Sequence, residues 1–425
     1  MARRAPRAPK RQRLFLIMGK KRVFVAMSGG VDSSVAAALY REQGHAVIGV
    51  HIKMWSDPSI PCNFKEDRYD AMRVAEQIGI PFQTWDLTGE YRTAVVEYMI
   101  REYAAGRTPN PDVVCNRDIK FGVFLKRALE LGADAVATGH YARLMRKSQN
   151  TSPIQSGTTL QTNHKTHPRL DRGPNYQLLT AKDTNKDQSY FLWTLTQEQL
   201  RHCLFPIGEY TKPEVRRMAR ERGLRTAEKK DSQGICFIGE IDLRAFLQKY
   251  IPVSRGPVLT TSGKAVGEHE GLSFYTIGQR QGLGIGGGPS PRRSGLWPRE
   301  GGIPYYVAGK DFAANALVVA QGPYDEKLFV KEIAVADVNW ISEVPPAFPL
   351  RCEARIRYRQ PLQQAHVTIH DTHNTTQGTP QMIEKIVNRD TCYVIRFAQS
   401  QRAATPGQSV VFYRGEEMLG GGIIR

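Results

Sequence analysis

Between residues 21 and 140 the chain alternates short apolar runs with amphipathic stretches. Val23-Phe24-Val25-Ala26 predicts a buried strand, and Val35 to Arg41 predicts a helix closed near Gly44. Ala46-Val47-Ile48-Gly49-Val50 reads as the next strand and Asp67 to Ile78 as the next helix. Gly79-Ile80-Pro81-Phe82 leads into another short strand, and Ala135-Val136-Ala137-Thr138 forms a later one. Strands that alternate with helices in this rhythm imply a parallel sheet covered by helices.

The rhythm stops at residues 146–175, which are rich in Ser, Thr, Asn, Gln, Pro and His and read as an exposed inserted loop. Helical patterns resume at Gln197–Leu204 and Pro213–Gly223. Residues 255–302 carry many glycines and turn signals. Their cluster from Gly282 to Gly288 lacks a following helix, so a flexible loop is favoured over a phosphate site. From about Leu328 the pattern shortens to Ile333–Val338, Cys352–Tyr358, Thr391–Phe397 and Ser409–Tyr413, which predicts a small antiparallel barrel or sandwich. The polar stretch 371–381 would be an enlarged hairpin loop there.

A length of 425 residues fits two or three domains, and 41% hydrophobic residues can build them. No apolar run is long enough to span a bilayer. The net charge of +18 changes the picture more. Residues 1–22 hold nine Lys/Arg and no Asp/Glu. They read as a solvated arm, as an organelle transit peptide, or as residues ahead of a true start at Met18. The remaining positive excess suggests a polyanionic partner, with nucleic acid first among the candidates. The six cysteines, at 62, 115, 203, 236, 352 and 392, form no C-x-x-C pair and no secreted disulfide framework. A reducing cytoplasm is the default setting, with an organelle as the lesser alternative.

Ser28-Gly29-Gly30-Val31-Asp32-Ser33 follows the first strand directly. Two glycines let the backbone turn tightly, and a helix starting near Asp32 or Ser33 would aim its positive end at the same place. Ser28, Ser33 and Ser34 add hydroxyl donors, so the segment is an anion cradle, although it lacks the Gly-Lys-Ser/Thr of a Walker loop. The plainer alternative is a glycine turn with a helix cap. The complete string resembles the PP-loop of the ATP pyrophosphatase superfamily, which implies ATP and Mg2+, adenylation of a carbonyl oxygen and release of pyrophosphate.

Two cysteines sit in distinctive strings. Asn110-Pro111-Asp112-Val113-Val114-Cys115-Asn116 reads as an exposed extended segment ending at Cys115, before a helix near Ile119. A thiol there would have a lowered pKa, and Asp112 could serve in proton transfer. A buried structural cysteine is the competing reading. Cys236, within Gly234-Ile235-Cys236-Phe237-Ile238-Gly239, would by itself read as a core cysteine.

Together with Ala137–Arg143, Lys186–Leu192, Ile277–Gly287, Arg357–Gln360 and Pro406–Tyr413, these strings make eight ordered motifs. In that order they resemble the tRNA-specific 2-thiouridylase family from about Lys21 to the end. The resemblance implies an α/β N-terminal domain of the adenine nucleotide alpha hydrolase-like kind (21–238), a small central domain (239–326) and a C-terminal antiparallel β-barrel (327–425), behind a basic extension at 1–20. It implies ATP contacts from Ala26, Met27, Ser28, Gly29, Gly30, Val31, Asp32, Ser33, Ile52 and Gly139. Cys236 would carry a persulfide. Cys115 would be the nucleophile and would form a transient disulfide with Cys236.

The same resemblance sets Asn110, Pro111 and Asp112 around the everted target uridine and His140 on the tRNA. Lys186, Asp187 and Gln188 would lie along the tRNA, and Arg357, Tyr358 and Gln408 would touch the anticodon region. Implied partners are tRNAs for Lys, Glu and Gln and a persulfide donor such as a cysteine desulfurase or sulfur-relay protein. Ile52 stands where the family carries Met, and the segments 146–175 and 371–381 are additions to its pattern. Two other functions remain open on the residues alone. One is a PP-loop synthetase with a small-molecule acceptor, and the other is an RNA-binding protein with a vestigial loop.

Overall fold

The computed structural model describes residues 19–57, 64–147, 176–230, 243–285, 303–370 and 392–425. Five parallel strands form the first sheet, in the order β3 (Phe82–Asp86), β2 (Ala46–Lys53), β1 (Arg22–Ala26), β4 (Ala135–Ala137) and β7 (Cys203–Leu204). Alternation along β1 divides the core. Val23 and Val25 face a cluster containing Val35, Ala71 and Val215, whereas Phe24 faces Trp85, Tyr91 and Phe124. Helix α1 (Val31–Glu42), α2 (Phe64–Gln77) and the later helix Lys212–Glu221 cover the first face. Helical residues 88–104 and 111–130 cover the second. Covered on both faces, Val23–Ala26, Val47–Val50 and Ala135–Ala137 are apolar, as the sequence pattern predicted, whereas the edge strand β3 exposes Gln83, Thr84 and Asp86.

In the central part, β8 (Gly256–Thr260), β9 (Ala265–His269), β10 (Tyr305–Asp311) and β11 (Ala316–Gln321) form a mixed sheet in the order β10-β11-β8-β9. The C-terminal part is a closed barrel. Its strands are β12 (Phe329–Trp340), β13 (Leu350–Arg355), β14 (Gln363–His370), β15 (Cys392–Arg402), β16 (Ser409–Arg414) and β17 (Glu417–Ile424). They run β12-β15-β14-β13-β16-β17, and β17 pairs back onto β12. The ribbon of β5 (Arg143–Arg146) and β6 (Tyr176–Leu179) leaves the N-terminal domain and pairs with β17 of the barrel. Most of the inserted loop, most of the Gly282–Gly288 cluster's glycines and the 371–381 stretch lie outside the described residues.

Several sequence expectations need correction. The helix expected over Gln197–Leu204 stops at Arg201, after a Thr196–Gln199 capping box, and Cys203–Leu204 enters the sheet beside β4. The strand expected to reach Tyr358 ends at Arg355, because Arg359 adopts φ +63° and the Gln360 side chain accepts the Ile356 amide. Strands β14 and β17 were not foreseen. β17 contains Gly420-Gly421-Gly422, which reads as loop. The barrel requires glycine there: Gly420 has φ +154°, and a β-carbon on Gly421 would lie 2.8 Å from the Trp193 ring.

Candidate functional site

The loop after β1 is held by its own hydroxyls. The Ser28 amide donates to Ser33 Oγ at 3.1 Å, and the Ser33 and Ser34 hydroxyls donate to the Gly30 carbonyl at 3.2 and 2.8 Å. Helix α1 begins at Val31, slightly earlier than the sequence suggested. Gly29 takes φ +81°, and a β-carbon on it would meet the Asp67 carbonyl oxygen at 2.2 Å. Behind the loop, the buried His51 Nδ1–H donates to the Met27 carbonyl at 2.8 Å, and burial lowers the pKa of this imidazole. Ala26 and Met27 lead into the cradle, and Ile52 lies buried on the neighbouring strand.

Asp32 turns toward residues that the sequence did not nominate. Both its oxygens lie 2.8 Å from Lys212 Nζ, and Oδ1 also accepts from the Tyr141 hydroxyl at 2.8 Å. The Lys212 ammonium lies 5.9 Å from the Tyr141 ring centroid. On the loop's other flank, Lys229 bonds Asp67 at 2.7 Å and Asp70 at 2.6 Å. Thr211-Lys212-Pro213-Glu214 reads in sequence only as a helix start, so nothing there pointed to a loop 180 residues away.

The segment after β4 joins this loop to the helix of Cys115. A β-carbon on Gly139 would lie 2.7 Å from the Ser33 amide nitrogen. The next residue, His140, faces the other way. It packs against Phe121 and Phe205, with ring centroids 5.8 and 6.3 Å away, and its Nδ1 pairs with Thr138 Oγ1 at 2.8 Å. Tyr141 returns to the loop at Asp32. Burial, reinforced by the charge of Lys120, holds the His140 imidazole well below its ordinary pKa, so it is neutral at pH 7.

Cys115 is not at the end of an exposed strand. Asn110 caps a helix that Pro111 opens, its Oδ1 accepting the Val113 amide at 3.4 Å. The helical backbone continues without a break to residue 130, with wider π-type turns over Cys115–Phe124. Cys115 is only 2% exposed and packs with Val114, Ile119 and Phe121 in the core. The exposed setting expected from the two prolines is therefore wrong. Proline at the first helical position starts a helix as readily as it extends a strand. Asp112 lies one turn earlier, and burial raises its pKa while the Lys120 ammonium partly offsets this. Cys236, and with it the expected pairing to Cys115, lies outside the described residues.

The remaining nominated residues are engaged inside the protein. Asp187 is buried, where Oδ1 accepts the Ala181 and Ser189 amides at 3.1 Å and Oδ2 lies 3.4 Å from Arg355. Gln188 accepts the Tyr141 amide at 3.0 Å, and the Lys186 amide donates to the Asp183 carbonyl at 3.1 Å. Arg357 donates to the Ala403 carbonyl at 2.8 Å, and the Tyr358 ring packs 4.7 Å from Phe191. Gln408 donates to the carbonyls of Thr108 and Pro109 at 2.8 and 3.1 Å.

Comparison with known proteins gives a consistent result. Residues 21–240 match the family described as tRNA methyl transferase HUP domain, residues 244–321 its PRC-barrel domain, and 330–377 and 376–424 the aminomethyltransferase beta-barrel domain. The chain is 46% identical over 409 residues to the tRNA-specific 2-thiouridylase MnmA of Streptococcus pyogenes serotype M49 (strain NZ131), covering 95% of each chain. The same protein of the serotype M12 strain MGAS2096 matches equally.

The chain belongs to the tRNA-specific 2-thiouridylase family.

The 2-thiouridylases are tRNA sulfurtransferases, and the three-part fold seen here is the one that the resemblance implied. Two distant solved structures also match. One is the U34-tRNA thiolase NcsA from Methanococcus maripaludis, at 16% identity, TM-score 0.31 and coverage of 56% of this chain and 69% of that one. The other is a 4-thiouridine synthetase–RNA complex with bound ATP, at 17% identity, TM-score 0.32 and coverage of 55% and 50%. In this thiouridylase the serine-rich loop joins β1 to α1 inside the residues that match the HUP-domain family. Among the described residues, no cluster of three or more His, Cys, Asp or Glu is arranged to hold a metal, and no helix is long and apolar enough to cross a membrane.

Proposed function

We propose that the protein thiolates the wobble uridine of tRNA at C2, using ATP to activate the C2 oxygen and a cysteine persulfide as sulfur source. The observation that carries the reading is the continuity of the site. Gly139 and Tyr141 abut the phosphate cradle while His140, between them, packs against the helix of Cys115. A chain 46% identical to a named 2-thiouridylase over 95% of its length supports the choice of substrate.

In this mechanism the backbone amides at Gly29, Gly30 and the start of α1 bind the triphosphate, and Ser28 and Ser33 orient it. Asp32, here paired with Lys212, is the carboxylate that would hold a magnesium ion, whose positive charge would assist the departure of pyrophosphate. The uracil C2 oxygen attacks the α-phosphate, giving an adenylate and pyrophosphate. The terminal sulfur of a Cys236 persulfide then attacks C2, and the C–O bond to AMP breaks. The Cys115 thiolate attacks the inner sulfur of that adduct. The S–S bond breaks, leaving sulfur on C2 and a Cys115–Cys236 disulfide. An external reductant resets the two thiols. Neutral His140 and Asp112, whose pKa burial raises, suit a site where a thiol must lose its proton away from water. Asn110, Pro111 and Asp112 would flank the everted base. Lys186, Arg357 and Tyr358 would contribute to tRNA binding, with Asp187 and Gln188 holding the segment that carries Lys186 from inside, and tRNAs for Lys, Glu and Gln are the expected acceptors.

The test is incubation of the purified protein with a tRNA for Lys, ATP, magnesium and a persulfide donor, followed by nucleoside mass spectrometry. The expected products are 2-thiouridine at the wobble position, AMP and pyrophosphate. Absence of 2-thiouridine with all four acceptor and donor components present would sink the reading.

A further inference from the structure

We propose that Arg357 and Arg402, the latter backed by the ring of Tyr306, clamp one backbone phosphate of the tRNA where the barrel meets the central part of the chain. The inference deepens the reading above and rests on it for the identity of the polyanion.

The barrel brings the two cations together. Arg402 is the last residue of β15, and Arg357 lies just past the end of β13. The Arg357 guanidinium donates to the Ala403 carbonyl at 2.8 Å, immediately after Arg402. Ala403 takes φ +54°, and its amide donates to the Leu328 carbonyl at 2.6 Å, so the chain turns sharply beyond Arg402. The central part closes on the same turn. Gly278, at φ +84°, sits so near that a β-carbon on it would lie 2.6 Å from the Ala403 Cβ and 3.4 Å from Arg357 Nη2. Its amide donates to the Val307 carbonyl at 2.7 Å, and the Val307 amide donates to the Gln279 carbonyl at 2.9 Å. These bonds fix Tyr306, the neighbour of Val307, against the barrel. The guanidinium carbon of Arg402 lies 4.9 Å from the Tyr306 ring centroid, and its Nε donates to the Pro323 carbonyl at 3.3 Å.

The charges at this junction are unbalanced. Burial lowers the pKa of Arg357, and the nearby charge of Arg402 lowers it further. Among the described residues neither guanidinium has a carboxylate in ion-pair contact, whereas Arg355, Arg396 and Arg425 of the same barrel lie against Asp187, Glu332 and Asp337. Like charges held together in a half-buried setting repel, and an anion between them removes that penalty. Each arginine gives an N–H to a backbone carbonyl and keeps the rest of its fork. A planar fork braced by an aromatic face suits phosphate oxygens. With a net charge of +18 and tRNA as the substrate of the family, the anion is an RNA phosphate. Such a contact positions the RNA and reads no base.

The test is tRNA binding to the full chain across a salt series. The variants are Arg402→Gln, Arg402→Lys, Arg357→Gln and the double variant Arg357→Gln/Arg402→Gln. Arg396→Gln, already paired with Glu332, is a control of equal charge loss. For Arg402→Gln the expected result is about tenfold weaker binding and a logarithmic salt slope shallower by about 0.7–0.9, the contribution of one phosphate. Arg402→Lys keeps the slope and loses part of the affinity, because it keeps the charge without the fork. The double variant loses less than the product of the two single losses, because removing either arginine opens the clamp. Arg396→Gln binds tRNA as wild type does, and ATP affinity is unchanged throughout.

A wild-type slope for Arg402→Gln, an equal fall in slope for Arg396→Gln, or single losses that multiply in the double variant would each overturn the clamp. If Arg402→Gln no longer binds ATP and so has lost its fold, Arg402→Lys and Arg357→Gln decide, and wild-type tRNA affinity in both overturns it. A wild-type chain that binds no tRNA overturns the clamp together with the reading above. A wild-type chain that binds tRNA but makes no 2-thiouridine overturns that reading alone, and the slopes still decide the clamp.

Discussion

Lys212 Nζ lies 2.8 Å from both carboxylate oxygens of Asp32, joining the start of a late helix to the first turn of α1 across 180 residues. The lysine side chain is 10% exposed and the aspartate 31%. Removing one partner strands the other. Lys212→Met should cost about 1–2 kcal/mol, less than for a fully buried pair because Asp32 is partly screened. Adding Asp32→Asn should recover part of that loss. A double-mutant cycle by urea unfolding checks this, and strictly additive effects would show that the pair is not coupled.

Gly139 is packed against the Ser28–Ser33 loop too closely for a side chain. Gly139→Ala should weaken ATP binding by about tenfold or more, since the loop must shift to relieve the contact. The tRNA affinity should stay near wild type. Calorimetric titration with ATP reads the first effect and filter binding the second. Normal ATP affinity would mean that the loop is free to move there.

Cys115→Ser and Cys236→Ser should each abolish thiolation while leaving ATP binding intact. Both variants can be followed by 2-thiouridine yield and by nucleotide titration. A normal rate from either one rules out the two-cysteine route.

The buried, neutral His140 gives a pH dependence of known sign. Its folded pKa lies below the unfolded value near 6.5, so the unfolded chain binds more protons below that pH. Stability is therefore present above about 6.5 and is lost as pH falls, by at most about 1.4 kcal/mol per unit for this one group. His51, also lowered by burial, shares the window, whereas the raised pKa of Asp112 acts in the opposite sense. His140→Asn should flatten the slope of unfolding free energy between pH 6.5 and 5.5 relative to wild type, wherever these comparison limits are set by the unfolded histidine pKa. Parallel slopes would place a charged imidazole in the core.

With a net charge of +18, tRNA affinity should fall steeply as salt rises, both in the full chain and in a chain lacking residues 1–17. Filter binding over a salt series measures the slope. A flat response in the shortened chain would confine the electrostatic contribution to the first residues.

The centre of the parallel sheet was legible because Val23–Ala26, Val47–Val50 and Ala135–Ala137 read as unbroken apolar runs, whereas the edge residues Cys203–Leu204 read as the end of a helix. The loop at Ser28–Ser33 was legible because its whole string is local. The partners of Asp32 were not. Tyr141 and Lys212 acquire their roles only when segments 109 and 180 residues away fold back upon it. Cys115 was misplaced because the residue before a proline is held extended, and that rule ends at Asn110, where Pro111 begins a helix. The contacts of the Gln408 amide with the Thr108 and Pro109 carbonyls were not legible, because no local pattern joins residues about 300 apart.

The strict alternation of Gly139, His140 and Tyr141 also constrains how this chain can change in length. Adding or deleting one residue between Thr138 and Ala142 would exchange the inward and outward sides, pushing a side chain into Ser33 and withdrawing the ring from Phe121. Length variation in a lineage is therefore excluded there and deferred to the first point beyond it where the backbone reaches solvent. The ribbon that begins at Arg143 offers that point, and the chain's long polar addition falls after it, at 146–175.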